Sequence, residues 1–273
     1  MTYFQAIILG IVQGLTEFLP VSSSGHLVLV PFLLNWNLDP QKAFLFDVLV
    51  QLGTLGAVFV YFRQDLLDIL KAFFAGIKER KPFEDANSRL GWYIILATIP
   101  AGLIGLLLQD QVEALFDSPV WTAVFLFVTG ILLTVSELWS KKTRELESMT
   151  VKDSIIIGFF QALSIFPGVS RSGSTITGGL TQGFKRQVAA RFSFLMSVPI
   201  MLAAGLLSVL KLFKIDGVLA FLPVLLLGFV IAGVVGYFAI KWFIGYLKEK
   251  SLLPFAVYCA VVAIVVIFVA YAR

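Results

Sequence analysis

Charge is scarce in this chain. Asp, Glu, Lys and Arg together supply 14% of the 273 residues, against about 25% in an ordinary soluble domain. That shortage excludes a soluble enzyme, a disordered chain and a nucleic-acid-binding domain. Cysteine is scarcer still. Cys259 is alone, which excludes a disulfide framework and a paired-cysteine metal site. Lying inside an apolar run, it reads as a small buried apolar residue. Met1 to Gln5 carry no basic charge, and the first apolar run contains Gln13 and Glu17 with no small-residue cleavage site. No cleaved signal peptide is expected. What the chain has instead is apolar surface. Hydrophobic residues make up 59%, 26 of them Phe, and the mean hydropathy is +0.93. A soluble core cannot hide this much, so the solvent must be lipid. The net charge of +4 then reports membrane orientation rather than an acidic partner.

Six apolar runs are long enough for the roughly 20 helical residues a bilayer requires. They lie near 44–62, 92–108, 120–139, 190–210, 221–244 and 253–272. Two further stretches, 3–34 and 154–184, are apolar but broken near the middle by Pro, Gly and Ser. Each reads as a re-entrant hairpin that enters and leaves on one side. Broken backbone at membrane depth survives only where protein buries it or it lines a wet cavity. Between the first two spans, Leu66, Leu67, Leu70, Phe73, Phe74 and Ile77 fall at helical spacing between Lys71 and Lys78, which predicts an amphipathic interfacial helix.

Of the 21 Lys and Arg residues, sixteen fall on one side of this layout: six in 63–91, four in 140–153, three in 185–191 and three in 241–250. The other side holds Lys42, Lys211, Lys214 and Arg273, and Arg171 sits in the second break. The asymmetry makes the rich side cytoplasmic and puts both termini outside.

The chain matches itself at an offset of 148 residues. Gly10 meets Gly158, Gln13 meets Gln161, Val21-Ser22 meets Val169-Ser170, and Ser24-Gly25 meets Ser172-Gly173. Polar residues in register through both breaks indicate a repeat. Repeat one covers about 1–140 and repeat two about 150–273, within one integral membrane domain spanning 1–273. A hairpin keeps the chain on its side and three spans change it, so the second repeat is inverted. The expected fold is an all-α polytopic membrane protein of two inverted repeats, each a re-entrant helical hairpin plus three transmembrane helices. Such repeats place the site near the midplane, where the breaks meet.

Glu17, His26 (the only histidine) and Arg171 lie in or beside the breaks. An ionised group at the bilayer centre costs about 2.5–3.5 kcal/mol on insertion scales and suggests function. The blander alternative is a Glu17–Arg171 pair stapling the hairpins. Gln13 and Glu17, four apart, share a helix face. Ser22, Ser23, Ser24 and Gly25 open one resumed helix, and Ser170, Ser172, Gly173 and Thr175 surround Arg171 at the other. Helix N-termini, hydroxyls and a guanidinium favour a phosphate or diphosphate. A serine needs a base to become a nucleophile. His26, three residues after Ser23, shares its face and has a suitable ordinary pKa of about 6.5. Spacing alone does not assign roles among Ser22, Ser23 and Ser24. Glu17 either orients His26 or holds a divalent cation.

The run from Gln13 through Glu17 to His26, with Pro167-Gly-Val-Ser-Arg-Ser-Gly173, resembles the two signature motifs of bacterial undecaprenyl-diphosphate phosphatases of the bacitracin-resistance type. The likeness extends over essentially the whole chain. It implies hydrolysis of undecaprenyl diphosphate to undecaprenyl phosphate and phosphate, which recycles the lipid carrier of peptidoglycan synthesis. The implied setting is a site open to the outer face of the bacterial cytoplasmic membrane. By the same resemblance Ser23 and His26 match the nucleophile and base. Glu17 matches the invariant acid, and Ser170, Arg171, Ser172 and Thr175 match a phosphate-binding loop. Mg2+ or Ca2+ is implied as cofactor; the sequence does not settle its ligands, for which Glu17 is the candidate and Gln13 a second one. Gln13, standing at a place where the family also uses Glu, weakens any scheme needing two carboxylates. The expected partners are a polyprenyl diphosphate lipid and the bilayer, with no nucleic acid and a homodimer left open. Serine attack and direct attack by water both remain open as mechanisms. A transporter or flippase for an anionic lipid carrier is the alternative, because broken helices and inverted repeats are shared with transporters.

Overall fold

The computed structural model describes residues 1–113, 115, 118–212 and 218–273. Lys214, counted above on the sparse side, lies outside them. The first hairpin is α1 (Tyr3–Thr16) and α2 (Ser23–Leu33). It is followed by α3 (Pro40–Tyr61), α4 (Arg63–Lys78), α5 (Ala86–Glu113) and α6 (Pro119–Trp139). The second is α7 (Val151–Ala162) and α8 (Arg171–Thr181), followed by α9 (Arg186–Leu212), α10 (Val218–Tyr246) and α11 (Leu253–Ala272). Six of these, α3, α5, α6, α9, α10 and α11, are long and apolar enough to cross a membrane. The chain is an all-α multi-pass membrane protein.

Helix ends depart from the apolar runs because polar caps extend them. α5 begins at Ala86 rather than 92, since Asp85 Oδ1 accepts the amides of Asn87 and Ser88 at 2.8 and 3.0 Å. α7 begins at Val151 rather than 154. There Thr150 and Asp153 form a capping box, with the Asp153 amide on Thr150 Oγ1 at 3.3 Å and the Thr150 amide on Asp153 Oδ2 at 2.8 Å. The same box, built from Thr2 and Gln5, opens α1, and both of its residues sit 148 positions earlier.

The hairpins exchange partners. α1 packs on α10, and α7 packs on α5. Gly10 and Gly158 make the two approaches. A Cβ on Gly10 would stand 3.0 Å from the Gly228 carbonyl oxygen of α10, and one on Gly158 2.6 Å from that of Ala97 on α5. The α4 helix is apolar on more of its circumference than its sequence suggested. Ile69 is buried and Phe73 packs on Trp92 at 4.9 Å, while Leu67, Leu70, Phe74 and Ile77 face outward.

One end of the bundle is pinned by charge. Glu137, buried at the end of α6, accepts Arg186 Nε from the start of α9 at 3.1 Å and pairs with Lys142 at 3.2 Å. It also accepts the Leu252 amide at the start of α11 at 3.3 Å, so α6 and α11 run antiparallel. Arg144 grips Asp153 through both Nη atoms at 2.9 and 2.7 Å and lies over the Phe184 ring. The hydrogen bonds to Asp153 raise the Arg144 guanidinium further above its ordinary value.

Candidate active site

The two breaks meet inside the bundle. A Cβ on Gly25 would sit 3.2 Å from the Cα of Gly168. Both half-helices start by the same local device. Ser22 Oγ accepts the Gly25 amide at 3.2 Å, and Ser170 Oγ accepts the Gly173 amide at 3.0 Å. Ser22 and Ser170, two of the four serines expected as phosphate ligands, thus act as helix caps. Ser22 carries φ +69° and ψ +99°, a conformation that costs a non-glycine residue roughly 1–3 kcal/mol. At Gly168, φ is +98° and a Cβ would lie 2.1 Å from the Thr122 carbonyl oxygen on α6. Gly168→Ala is accordingly expected to displace the second break. The thermal-unfolding midpoint in detergent should fall, together with whatever activity the breaks support. A variant with the wild-type midpoint and full activity would contradict this reading of the break.

The first residues of the two half-helices, Ser23 of α2 and Arg171 of α8, stand 148 positions apart and converge on one carboxylate. Ser23 Oγ donates to Glu17 Oε2 at 2.6 Å, and Arg171 Nη2 donates to Glu17 Oε1 at 2.6 Å. Gln13 Nε2 donates to Glu17 Oε2 at 2.9 Å, and the Gln13 Oε1 atom is buried without a partner. Glu17 is buried, whereas Ser23, Ser24 and Arg171 keep partial exposure. The accessible face of the cluster thus consists of hydroxyls and a guanidinium.

The structure does not hydrogen-bond Ser23 to His26. The His26 ring reaches back along its helix, so that Nδ1 meets the Ser22 carbonyl oxygen at 2.8 Å and Nε2 meets the Tyr258 hydroxyl of α11 at 2.8 Å. Helical side chains lean toward the N-terminus, which favours the carbonyl four residues back over the hydroxyl three back. Ser172 Oγ bridges the breaks, bonding the Leu19 carbonyl oxygen at 3.1 Å. Thr175 is turned inward, donating to the Arg171 carbonyl oxygen at 2.8 Å and sharing a 2.6 Å bond with Ser193.

Four residues joined to the cluster were not singled out as site residues from the sequence. Thr54 of α3 meets Gln13 at 3.4 Å. Ser193 of α9 takes Arg171 Nη1 on its carbonyl oxygen at 3.3 Å. Thr129 of α6 accepts the Ser170 amide at 3.0 Å, and Tyr258 holds His26. Phe192 and Phe194, on either side of Ser193, are buried packing residues.

Among the described residues, no group of three or more His, Cys, Asp or Glu comes together. The donors present are one carboxylate, already ion-paired, and the free Oε1 of Gln13. That set fits a hard divalent cation held mostly by a ligand's phosphate oxygens, and falls short of a protein-built cage.

A guanidinium and two helix N-termini brought together at two helix breaks, an arrangement chemically able to hold an anion, sit within a multi-pass membrane protein. The model of the bacitracin resistance protein BacA family matches residues 6–265, and the chain belongs to that family. It is 42% identical to an undecaprenyl-diphosphatase of Thermomicrobium roseum, over 98% of both chains. It is also 42% identical to that of Thermobifida fusca, over 98% of this chain and 90% of the relative. The undecaprenyl-diphosphatase of Mycolicibacterium smegmatis is 42% identical over 98% and 96%.

Proposed function

We propose that the chain hydrolyses undecaprenyl diphosphate to undecaprenyl phosphate and inorganic phosphate, from a site open to the outer side of the bacterial cytoplasmic membrane. The observation that carries the reading is the convergence of Ser23 and Arg171 on Glu17. It is supported by full-length likeness to proteins named for this reaction. The outward setting rests on the Lys and Arg asymmetry of the loops. Inversion of the two repeats is supported by the antiparallel run of α6 and α11, the closing helices of each repeat.

The terminal phosphoryl group binds against Arg171 and the first-turn amides of the two half-helices. Ser23 Oγ attacks phosphorus as its proton passes to Glu17 Oε2. The bond from phosphorus to the bridging oxygen breaks, and undecaprenyl phosphate leaves. Water then attacks the phosphoserine as Glu17 Oε2 returns its proton to Ser23 Oγ, giving inorganic phosphate and restoring both the hydroxyl and the carboxylate. Arg171 stabilises the charge spread over the equatorial oxygens in both steps. Glu17 and Gln13 would hold a divalent cation, which would neutralise phosphate charge. An apolar groove of about 410 Å³ between α5 and α7, lined by Ile104, Leu108, Phe159, Phe160 and Phe166 among others, ends beside the second break and suits the first isoprene units.

The test is phosphate release by the purified full-length chain in detergent, from a long-chain polyprenyl diphosphate, with and without chelator. Release is expected, and chelator should lower it. If wild type releases no phosphate under either condition, the hydrolase reading fails.

A further inference from the structure

Resting on that reading, we propose that Tyr258 is a positioning residue acting through His26, and that His26 is a strut for the Ser22–Ser23 backbone rather than the base that deprotonates Ser23. The Ser22 carbonyl oxygen can only accept. The 2.8 Å contact from Nδ1 therefore requires a proton on Nδ1, and in the neutral ring Nε2 is then an acceptor. Tyr258 supplies the donor at 2.8 Å. Its ring lies nearly parallel to the imidazole, 5.6 Å away with 10° between planes. Both nitrogens are thus committed, one to the backbone of the first break and one to α11. The carbonyl that Nδ1 holds belongs to Ser22, the residue with positive φ immediately before Ser23. Fixing this peptide fixes the direction in which Ser23 Oγ leaves the helix, toward Glu17 at 2.6 Å. A second contact from α11 joins the same break, with Cys259 Sγ donating to the Pro20 carbonyl oxygen at 3.7 Å. Tyr258 is 43% exposed, with its hydroxyl turned to His26 Nε2.

His26 is the only histidine of the chain, so its tautomer can be read without assignment. Ring-15N-histidine-labelled full-length protein in detergent should give one pair of ring signals, with the proton on Nδ1 in wild type and a tautomer mixture in Tyr258→Phe. Phosphate release supplies the second reading. Tyr258→Phe should lower kcat about tenfold, the scale for an outer partner that orients a working group, with KM held. His26→Asn, which keeps an amide donor within reach of the Ser22 carbonyl, should retain activity that His26→Ala loses. Adding Tyr258→Phe to His26→Asn should cost nothing more, because the effect passes through the imidazole. A proton on Nε2 in wild type overturns the proposal. So does a Tyr258→Phe variant with wild-type kcat, or losses that multiply in the double variant. If wild type releases no phosphate, the hydrolase reading falls, while the tautomer still decides whether Tyr258 sets the imidazole.

Discussion

Arg171→Ala should reduce phosphate release from a long-chain polyprenyl diphosphate by at least about 10²–10³-fold, the loss seen when one preorganised donor to developing charge is removed. The guanidinium is tied at both ends, by Nη2 to Glu17 Oε1 at 2.6 Å and by Nη1 to the Ser193 carbonyl oxygen at 3.3 Å. Nη2 also meets Met201 Sδ at 3.9 Å, and the residue keeps partial exposure. A planar fork held this way meets phosphate oxygens with no reorganisation. Deleting it has a second effect, since a buried carboxylate loses its only cationic partner among the described residues. Breaking a buried pair from one side can cost about 3–5 kcal/mol; with the Arg171 side chain 14% exposed, the low end applies. Arg171→Lys separates the two effects. It should keep most of the thermal stability by leaving a cation near Glu17, yet stay well below wild type in kcat because the bidentate geometry is gone. Full activity in Arg171→Ala would remove the guanidinium from the reaction altogether.

The spans, the breaks and the polar residues within them were legible because lipid leaves few physical reasons for Gln, Glu, His or Arg at that depth. The pairing among those residues was not. Spacing put His26 on the face of Ser23, but spacing fixes only where Cβ atoms lie. Where the imidazole goes is decided by Tyr258, 232 positions away on a helix with no motif. The serines show the same limit. Ser22, Ser23 and Ser24 look equivalent as letters, yet Ser22 is consumed as a cap and carries the positive φ, which leaves Ser23 aimed at the carboxylate. Thr175 resembles a phosphate ligand but is spent on the Arg171 carbonyl oxygen and Ser193. The Glu17–Arg171 staple and the cluster proposed to be active, weighed as alternatives from sequence, share one arrangement in space.

That identity makes Glu17 the position where proton transfer and anchoring can be told apart. Glu17→Gln should lower kcat by about 10²–10⁴-fold, the range attributed to a positioned general base, while KM stays level or falls. The sign of the KM change follows from competition. In the resting site the Glu17 carboxylate occupies Arg171, so an incoming phosphate must share that guanidinium with it. A neutral amide presses the claim less strongly and leaves more of the positive charge for substrate. Gln also keeps the length and shape of Glu, so Gln13 and Ser23 retain a neighbour, although one oxygen acceptor has become a donor. Glu17→Asp provides the converse, since it keeps a base but withdraws it by one methylene from a Ser23 contact of 2.6 Å. Its activity should lie between Gln and wild type. Steady-state kinetics of both variants, with unfolding midpoints in the same detergent, measure this. Should Glu17→Gln keep kcat and raise KM, relieved by excess divalent cation, the carboxylate would serve as a cation ligand alone, and the proton would have to leave Ser23, or an attacking water, by another route.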